Sequence, residues 1–169
     1  MLFRSGGQRH IGLFRELLKS TTPETRSYVA AKFVSSCDQP VPEKDRDAVV
    51  ALTKELVMDE QFEVAYWASS MLTPEKTGGN LNGEILPVIV ERLRNESDLK
   101  RFVMLSTGIQ ANLQRVVDND SFLKQYAEGV LDPAYTPEQN RELAIKHRQR
   151  LQAIFDSWVH EAKLKMKAK

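Results

Sequence analysis

Few residues of this 169-residue chain have side chains that could do chemistry, and their spacing does not assemble a site. The three histidines, His10, His147 and His160, lack metal-ligand spacing and have no acidic residue three or four positions further on. His147 and His160 are thirteen residues apart on one predicted helix, about 220° around it, so they cannot share a ligand. Cys37 is the only cysteine and has no evident base beside it, so we interpret it as an inert thiol.

A run rich in glycine and asparagine, Gly78-Gly79-Asn80-Leu81-Asn82-Gly83, superficially resembles a phosphate-binding loop. It lacks the Gly-Lys-Ser/Thr ending of such loops and has no predicted strand before it. We therefore interpret residues 73–83 as a connecting loop. Taken with the histidines and the cysteine, this predicts a protein that is not an enzyme and that holds no cofactor or metal.

Charge is distributed unevenly along the chain, although the net charge is only +1. Residues 1–37 hold six Lys/Arg against two acids, residues 38–100 hold seven against thirteen, and residues 137–169 hold eight against four. The chain is therefore basic at both ends and acidic in the middle, which bears on its partners rather than on its fold. Ordinary solvated helix faces would give the same pattern.

The first fifteen residues, MLFRSGGQRHIGLFR, contain three arginines among apolar residues and no acid. Such a start is typical of a mitochondrial targeting segment, and we expect residues 1–9 to be a targeting or flexible N-terminus and the protein to act in the mitochondrial matrix. A single free thiol also favours a reducing compartment. No apolar run reaches the roughly 20 residues that a transmembrane helix needs.

Helical signals recur along the chain, whereas strand signals are nearly absent. Ile11, Phe14, Leu17 and Leu18 have the spacing of one helical face, and Thr22-Pro23-Glu24 is typical of a helix start. The strongest start signal is Thr136-Pro137-Glu138-Gln139, a capping box with proline at the first helical position. The sequence predicts an all-α fold, a bundle or array of seven to eight antiparallel helices with a long C-terminal helix. We expect an N-terminal bundle over residues 10–72 and a C-terminal helical region with a basic tail over 84–169, or one continuous domain.

The stretch Leu13-Phe14-Arg15-Glu16-Leu17-Leu18-Lys19, followed by Arg26, Tyr28 and Phe33, resembles the start of the LYR-motif proteins. These small mitochondrial proteins have three helices, and many bind the acylated mitochondrial acyl carrier protein. The resemblance covers about residues 10–58, and phenylalanine replaces the tyrosine of the motif. It implies a binding site formed by Leu13, Phe14, Arg15, Lys19, Arg26, Lys32 and Phe33. The basic residues would face the acidic carrier, and its acyl chain would lie between apolar helices.

These observations favour a non-catalytic subunit or assembly adaptor of a mitochondrial multiprotein complex, such as a respiratory complex or ATP synthase, with protein subunits as partners and acyl carrier protein among them. The alternative is a helical-repeat protein associated with RNA or the ribosome, because both basic ends could contact phosphates. Acids are interleaved with the basic residues of the last helix, however, so an ordinary amphipathic helix explains that segment with fewer assumptions.

Overall fold

The fold was analysed in a computed structural model, which describes residues 7–20, 22–37, 41–72, 82–117 and 120–168. The described residues form helices joined by turns and contain no strand, so the predicted all-α class is confirmed. The helices are α1 (Gly7–Ser20), α2 (Pro23–Ser36), α3 (Glu43–Val57), α4 (Phe62–Ser69, extended by a 3-10 turn over Ser70–Leu72), α5 (Asn82–Asn95), α6 (Leu99–Leu113), α7 (Asp120–Ala127) and α8 (Pro137–Lys167). Within the described part, no helix is long and apolar enough to span a bilayer.

The helices pack in two rows. One row contains α1, α3, α5 and α8 in that order, and the other contains α2, α4, α6 and α7. Across the rows, α1 packs on α2, α3 on α4, α5 on α6 and α7 on α8, so the repeating unit is a hairpin of two helices. The first three hairpins alternate between the rows as in a helical array, whereas the fourth is reversed, with α7 in the second row and α8 in the first. The sequence suggested helix pairs over residues 23–58, 60–94 and 98–131. In the structure the first two pairs are shifted by one helix, whereas the two helices within 98–131, α6 and α7, do pack together.

Helices α4 and α6 of the second row run in the same direction. The Arg101 guanidinium lies 5.3 Å from the centre of the Phe62 ring, Tyr66 packs over Gly108, and the Asn112 amide donates to the Ser69 carbonyl at 3.2 Å. Each of these contacts lies further towards the C-terminus on both helices, so α4 and α6 are parallel. The sequence suggests that Gly108 marks a helix break or a close contact. Helix α6 continues through it, and a Cβ added there would lie 3.9 Å from Tyr66, an ordinary van der Waals distance, so neither role is seen.

Helix α8 closes the first row by packing antiparallel to α5. Met166, near the end of α8, lies against Gly83 at the start of α5, where an added Cβ would overlap the methionine side chain. Arg94, near the end of α5, donates to Asp156 at 2.7 Å. Further towards the start of α8, Arg148 donates to the carbonyl of Glu96 and stacks over Phe102, which ties α8 to the α5–α6 connection.

One continuous cluster of buried side chains runs through both rows, from Ile11 in α1 to Trp158 in α8. Residues of the predicted N-terminal bundle and of the C-terminal region therefore share a core. The largest fully buried side chains include Phe33, Phe102 and Phe155, one from each third of the chain. Residues 73–81 of the predicted loop and residues 1–6 of the predicted targeting segment lie outside the described residues.

The start signals of three helices can be compared with the structure. The capping box of α8 is confirmed. Thr136 Oγ1 accepts from the backbone amide of Gln139 at 3.2 Å, and Gln139 Oε1 accepts from the backbone amide of Thr136 at 2.8 Å. Asp98 caps α6 as predicted, accepting from the Arg101 amide. The prediction for Thr22 is wrong in detail, because its side chain makes no capping bond and pairs with the Thr25 hydroxyl instead.

Two predicted helix boundaries are also wrong. The sequence predicts a helix from about Glu84 to Arg94 with Pro87 in its first turn; helix α5 begins two residues earlier, at Asn82, so Pro87 lies inside it. The sequence predicts that the seventh helix carries Val130 among its apolar residues and ends at Asp132-Pro133. Helix α7 instead ends at Ala127, because Gly129 adopts a positive φ of 82° and the Val130 amide donates back to the Gln125 carbonyl. Val130 is consequently 54% exposed.

Asn140 holds the connection between α7 and α8 in one conformation. Its side chain is fully buried, although residues 128–139 before it are all exposed. The amide nitrogen donates to the carbonyls of Asp132, Tyr135 and Thr136, and the amide oxygen accepts from the Asp132 amide at 3.0 Å. One side chain therefore satisfies four backbone groups of an exposed segment.

Candidate functional site

A groove opens between α1, α2 and the end of α3, with a volume of about 320 Å³. Its size is at the lower end of the range for ligand pockets. The lining residues are Arg15, Leu18, Lys19, Arg26, Leu52, Glu55, Leu56 and Asp59. We call this the cationic groove, because three of its polar residues are basic and two are acidic.

The cationic groove brings together three of the seven predicted binding residues, Arg15, Lys19 and Arg26. Arg15 and Lys19 lie one turn apart on α1, and Arg26 lies in the first turn of α2. Because α1 and α2 form a hairpin, residues close to the turn between them converge on one end of the pair. Three of the four basic residues that the resemblance implies for binding therefore lie together, whereas Lys32 lies outside the cationic groove.

Two acidic residues hold the arginines in place. Arg15 Nη2 donates to Glu55 Oε1 at 2.8 Å, which joins α1 to α3. Arg26 donates to Asp59, whose other oxygen accepts from the Gln61 amide at 2.9 Å. The Asp59 side chain is only 11% exposed, whereas that of Glu55 is 59% exposed, so the second pair is the more shielded from solvent.

The arginines keep unused hydrogen-bonding capacity. The Nε atoms of Arg15 and Arg26 are buried and have no hydrogen-bond partner in the described structure. Lys19 is 73% exposed and lies 3.5 Å from Glu16, the distance of a loose surface pair. A carboxylate entering the cationic groove would meet these three cations.

The floor of the cationic groove is apolar but already covered. Leu18, Leu52 and Leu56 are 8%, 1% and 3% exposed. An acyl chain could reach further between the helices only if α1 moved away from α3, which would separate Arg15 from Glu55. The cationic groove is therefore an open polar cleft above a core that has no room for an acyl chain.

The other four predicted binding residues lie elsewhere. Phe33 is fully buried, and the half-buried Phe14 meets it edge to face, so both contribute to the α1–α2 core. Leu13 points outwards and is 57% exposed. The Lys32 amine lies 5.2 Å from the centre of the Tyr28 ring on the outer side of α2. None of the four lines the cationic groove.

Sequence reasoning missed the acidic side of the cationic groove. The sequence predicts Leu52 and Leu56 as core residues of the third helix and Asp59 as the start of the next helix, and Glu55 was not singled out. A signal for Glu55 was available, since Leu52, Glu55 and Leu56 follow the i, i+3, i+4 spacing of a single helical face. Asp59 lies beyond Val57, where α3 ends.

Histidine and cysteine chemistry is sparse in the described part of the chain, where no three His, Cys, Asp or Glu side chains are grouped as metal ligands would be. Cys37 is fully buried. His147 stacks on Phe122 with ring centres 4.8 Å apart, and burial together with the nearby Arg150 lowers its pKa below the usual 6.5.

The chain matches no protein-family model, and neither a curated protein nor a solved structure is similar to it at a significant level.

Proposed function

We propose that this chain is a non-catalytic subunit or assembly adaptor of a mitochondrial multiprotein complex, and that it binds an acidic protein partner at the cationic groove. The observation that supports this most is the convergence of Arg15, Lys19 and Arg26 on one open cleft. The arginine-bearing, acid-free first fifteen residues support the mitochondrial location.

The partner would exchange its carboxylates for those now in the cationic groove. Glu55 is the more easily replaced, because it is exposed and binds only Arg15 among the ion pairs of the described residues. Lys19, at the edge of the cleft, would attract an acidic surface before contact. An acidic carrier protein of the kind bound by LYR-motif proteins has this chemistry, and we propose acyl carrier protein as the partner to test first.

The experiment is a titration of the full chain with purified acyl carrier protein, unacylated and acylated. Lys19→Glu should weaken binding by roughly tenfold, which is about 1.4 kcal/mol. Lys32→Glu is the matched control, since it makes the same change at an exposed lysine of the same hairpin that lies outside the cationic groove. It should change the affinity by less than about twofold.

The outcomes separate the parts of the proposal. Equal effects of the two substitutions would remove the cationic groove as the binding site. Equal affinity for the acylated and unacylated carriers would show that the acyl chain stays outside the helices. Absence of binding to both carriers would exclude this partner, and a chain that purifies from mitochondria without any other protein would exclude the adaptor role.

A second candidate, an RNA- or ribosome-associated helical-repeat protein, is favoured by the two-row array and by the outer face of its second row. Tyr66 and Trp67 of α4 are 37% and 42% exposed, and Arg101 of α6 lies over the Phe62 ring, on which Tyr66 stacks. Exposed aromatic rings next to cations are what single-stranded nucleic acid stacks on. Trp67→Ala should then weaken binding of a single-stranded RNA, and binding should fall steeply with salt. RNA affinity that does not change in this variant would reject the candidate.

A further inference from the structure

The outer face of α8 is not covered by any described element. Helix α8 is the last of its row, and it packs on α5 and α7 through one side, where Leu151, Phe155 and Trp158 are buried. On the opposite side an exposed stripe runs the length of the helix with spacings of three, four and seven residues. We call it the α8 stripe; its members are Glu138, Glu142, Gln149, Ala153, His160, Lys163 and Lys167.

Charge is segregated along the α8 stripe. Its start carries Glu138 and Glu142, its middle is uncharged, and its end carries Lys163 and Lys167. None of these four side chains forms an ion pair with a described residue. The helix dipole accounts for an acid in the first turn and a base in the last turn, but Glu142 and Lys163 each lie a turn further in. Two acidic and two basic side chains on this one helix face therefore have no ion-pair partner among the described residues.

Those charges complement each other when two α8 helices run antiparallel. The register that places Glu142 opposite Lys163 of a second copy also places Glu138 opposite Lys167, because each pair of like charges is four residues apart. A twofold axis then passes between Gln152 and Ala153, so every contact occurs twice. The small, exposed Ala153 lies beside that axis, where two helices of a pair must come within about 8–10 Å.

Two exposed apolar residues border the α8 stripe. Ile145 is 49% exposed and Leu164 is 54% exposed. In the antiparallel register Val159 of the second copy lies opposite residue 146, next to Ile145. Leu164 follows Lys163 directly and therefore lies beside the Glu142–Lys163 ion pair. Apolar contact at both ends would reinforce ion pairs that contribute little when they stand alone on a surface.

We propose that the chain forms a twofold-symmetric dimer in which the α8 stripes of two copies pair antiparallel. The dimer leaves the cationic groove on α1–α3 free, so it does not depend on the identity of the partner bound there. It dissociates as salt rises, because its specific contacts are exposed ion pairs.

Zero-length cross-linking of the full chain tests the register. A carbodiimide joins a carboxylate directly to an amine, and Glu142 and Lys163 are separated by about 31 Å within one α8 helix. A cross-link between these residues, or between Glu138 and Lys167, can therefore form only between copies. Recovery of both links from the dimer band at low salt is the expected result. A chain that sediments as a monomer up to millimolar concentration, or a dimer that yields neither link, overturns the proposal.

Charge reversal tests the symmetry. Glu138→Lys with Glu142→Lys, or Lys163→Glu with Lys167→Glu, should each weaken self-association at least tenfold, because like charges then face each other. An equimolar mixture of the two variants should regain dimers, since opposite charges meet at both ends of the mixed pair. Lys165→Glu is the matched control outside the α8 stripe and should change association less than twofold. Circular dichroism establishes that each variant keeps its helices. Failure of the mixture to associate, with both variants folded, overturns the proposal.

Discussion

Phe14 of α1 meets Phe33 of α2 edge to face, with ring centres 5.5 Å apart and planes inclined by 70°. Aromatic pairs favour this geometry, because the positive ring edge faces the negative ring surface. Both residues belong to the stretch that resembles the LYR motif, yet they hold the first hairpin together rather than line the cationic groove. Their contact closes the first hairpin and so helps to bring Arg15 and Arg26, which lie between the two phenylalanines in the sequence, to the same cleft.

We expect the two phenylalanines to differ in their contribution to stability. Phe33→Ala should lower the free energy of unfolding by about 3–5 kcal/mol, because it leaves a cavity in the core. Phe14→Ala should lower it less, since Phe14 is only partly buried. Urea denaturation followed by far-UV circular dichroism measures both. Equal losses would mean that Phe14 contributes to the core as fully as Phe33.

Replacing Asn140 should loosen the connection between α7 and α8. Asn140→Ala removes four hydrogen bonds to the backbone of residues 132–136 and should lower the free energy of unfolding by roughly 1–3 kcal/mol. Asn95→Ala is the control, because the exposed Asn95 side chain donates only to Glu91 among the described residues. Amide hydrogen exchange should accelerate at residues 132–136 in Asn140→Ala alone. Unchanged exchange there would contradict the structural role of the asparagine.

Two glycines should respond to alanine with opposite signs. Gly108→Ala should raise the free energy of unfolding by about 0.5–1 kcal/mol, because alanine favours the helix and its Cβ would lie 3.9 Å from Tyr66, an ordinary contact. Gly129→Ala should lower it by about 1 kcal/mol, since φ of 82° strains any residue with a Cβ. Thermal unfolding of both variants gives the comparison. A loss of stability in Gly108→Ala would show that Tyr66 leaves no room for a Cβ at position 108.

Stability should depend on pH through His147. Its pKa is lowered in the folded state, chiefly by burial and further by Arg150, so the unfolded chain takes up a proton at a higher pH than the folded chain. The contribution of His147 to the free energy of unfolding is therefore fully present above pH 6.5. It is lost as the pH falls from 6.5 through the lower pKa of the folded state. His147→Gln should flatten the change of unfolding free energy with pH in this window. An unchanged slope in the variant would assign the pH dependence to other groups.

The structural features that the sequence predicted best are those that depend on residues close together in the chain. Thr136, Pro137 and Gln139 fix the start of α8 through local bonds, and Arg15, Lys19 and Arg26 meet because a short turn joins their helices. What it could not show depends on distant residues. Glu55 and Asp59 lie 40 and 33 residues beyond the arginines they bind, and nothing local indicates that pairing. Likewise, Val130 fits the apolar pattern of α7, and only the reversal at Gly129 turns it towards solvent.

The antiparallel packing of α8 on α5 also affects how the chain folds during its synthesis. Arg94 and its partner Asp156 are 62 residues apart, so at translation rates of 5–20 residues per second α5 waits roughly 3–12 s for the helix that covers it. The hairpins α1–α2 and α3–α4 can pack as soon as they leave the ribosome, whereas one side of α5 stays exposed to water until α8 emerges. That side is where a nascent-chain chaperone would bind, and a slower ribosome would lengthen the interval in which the chain can aggregate.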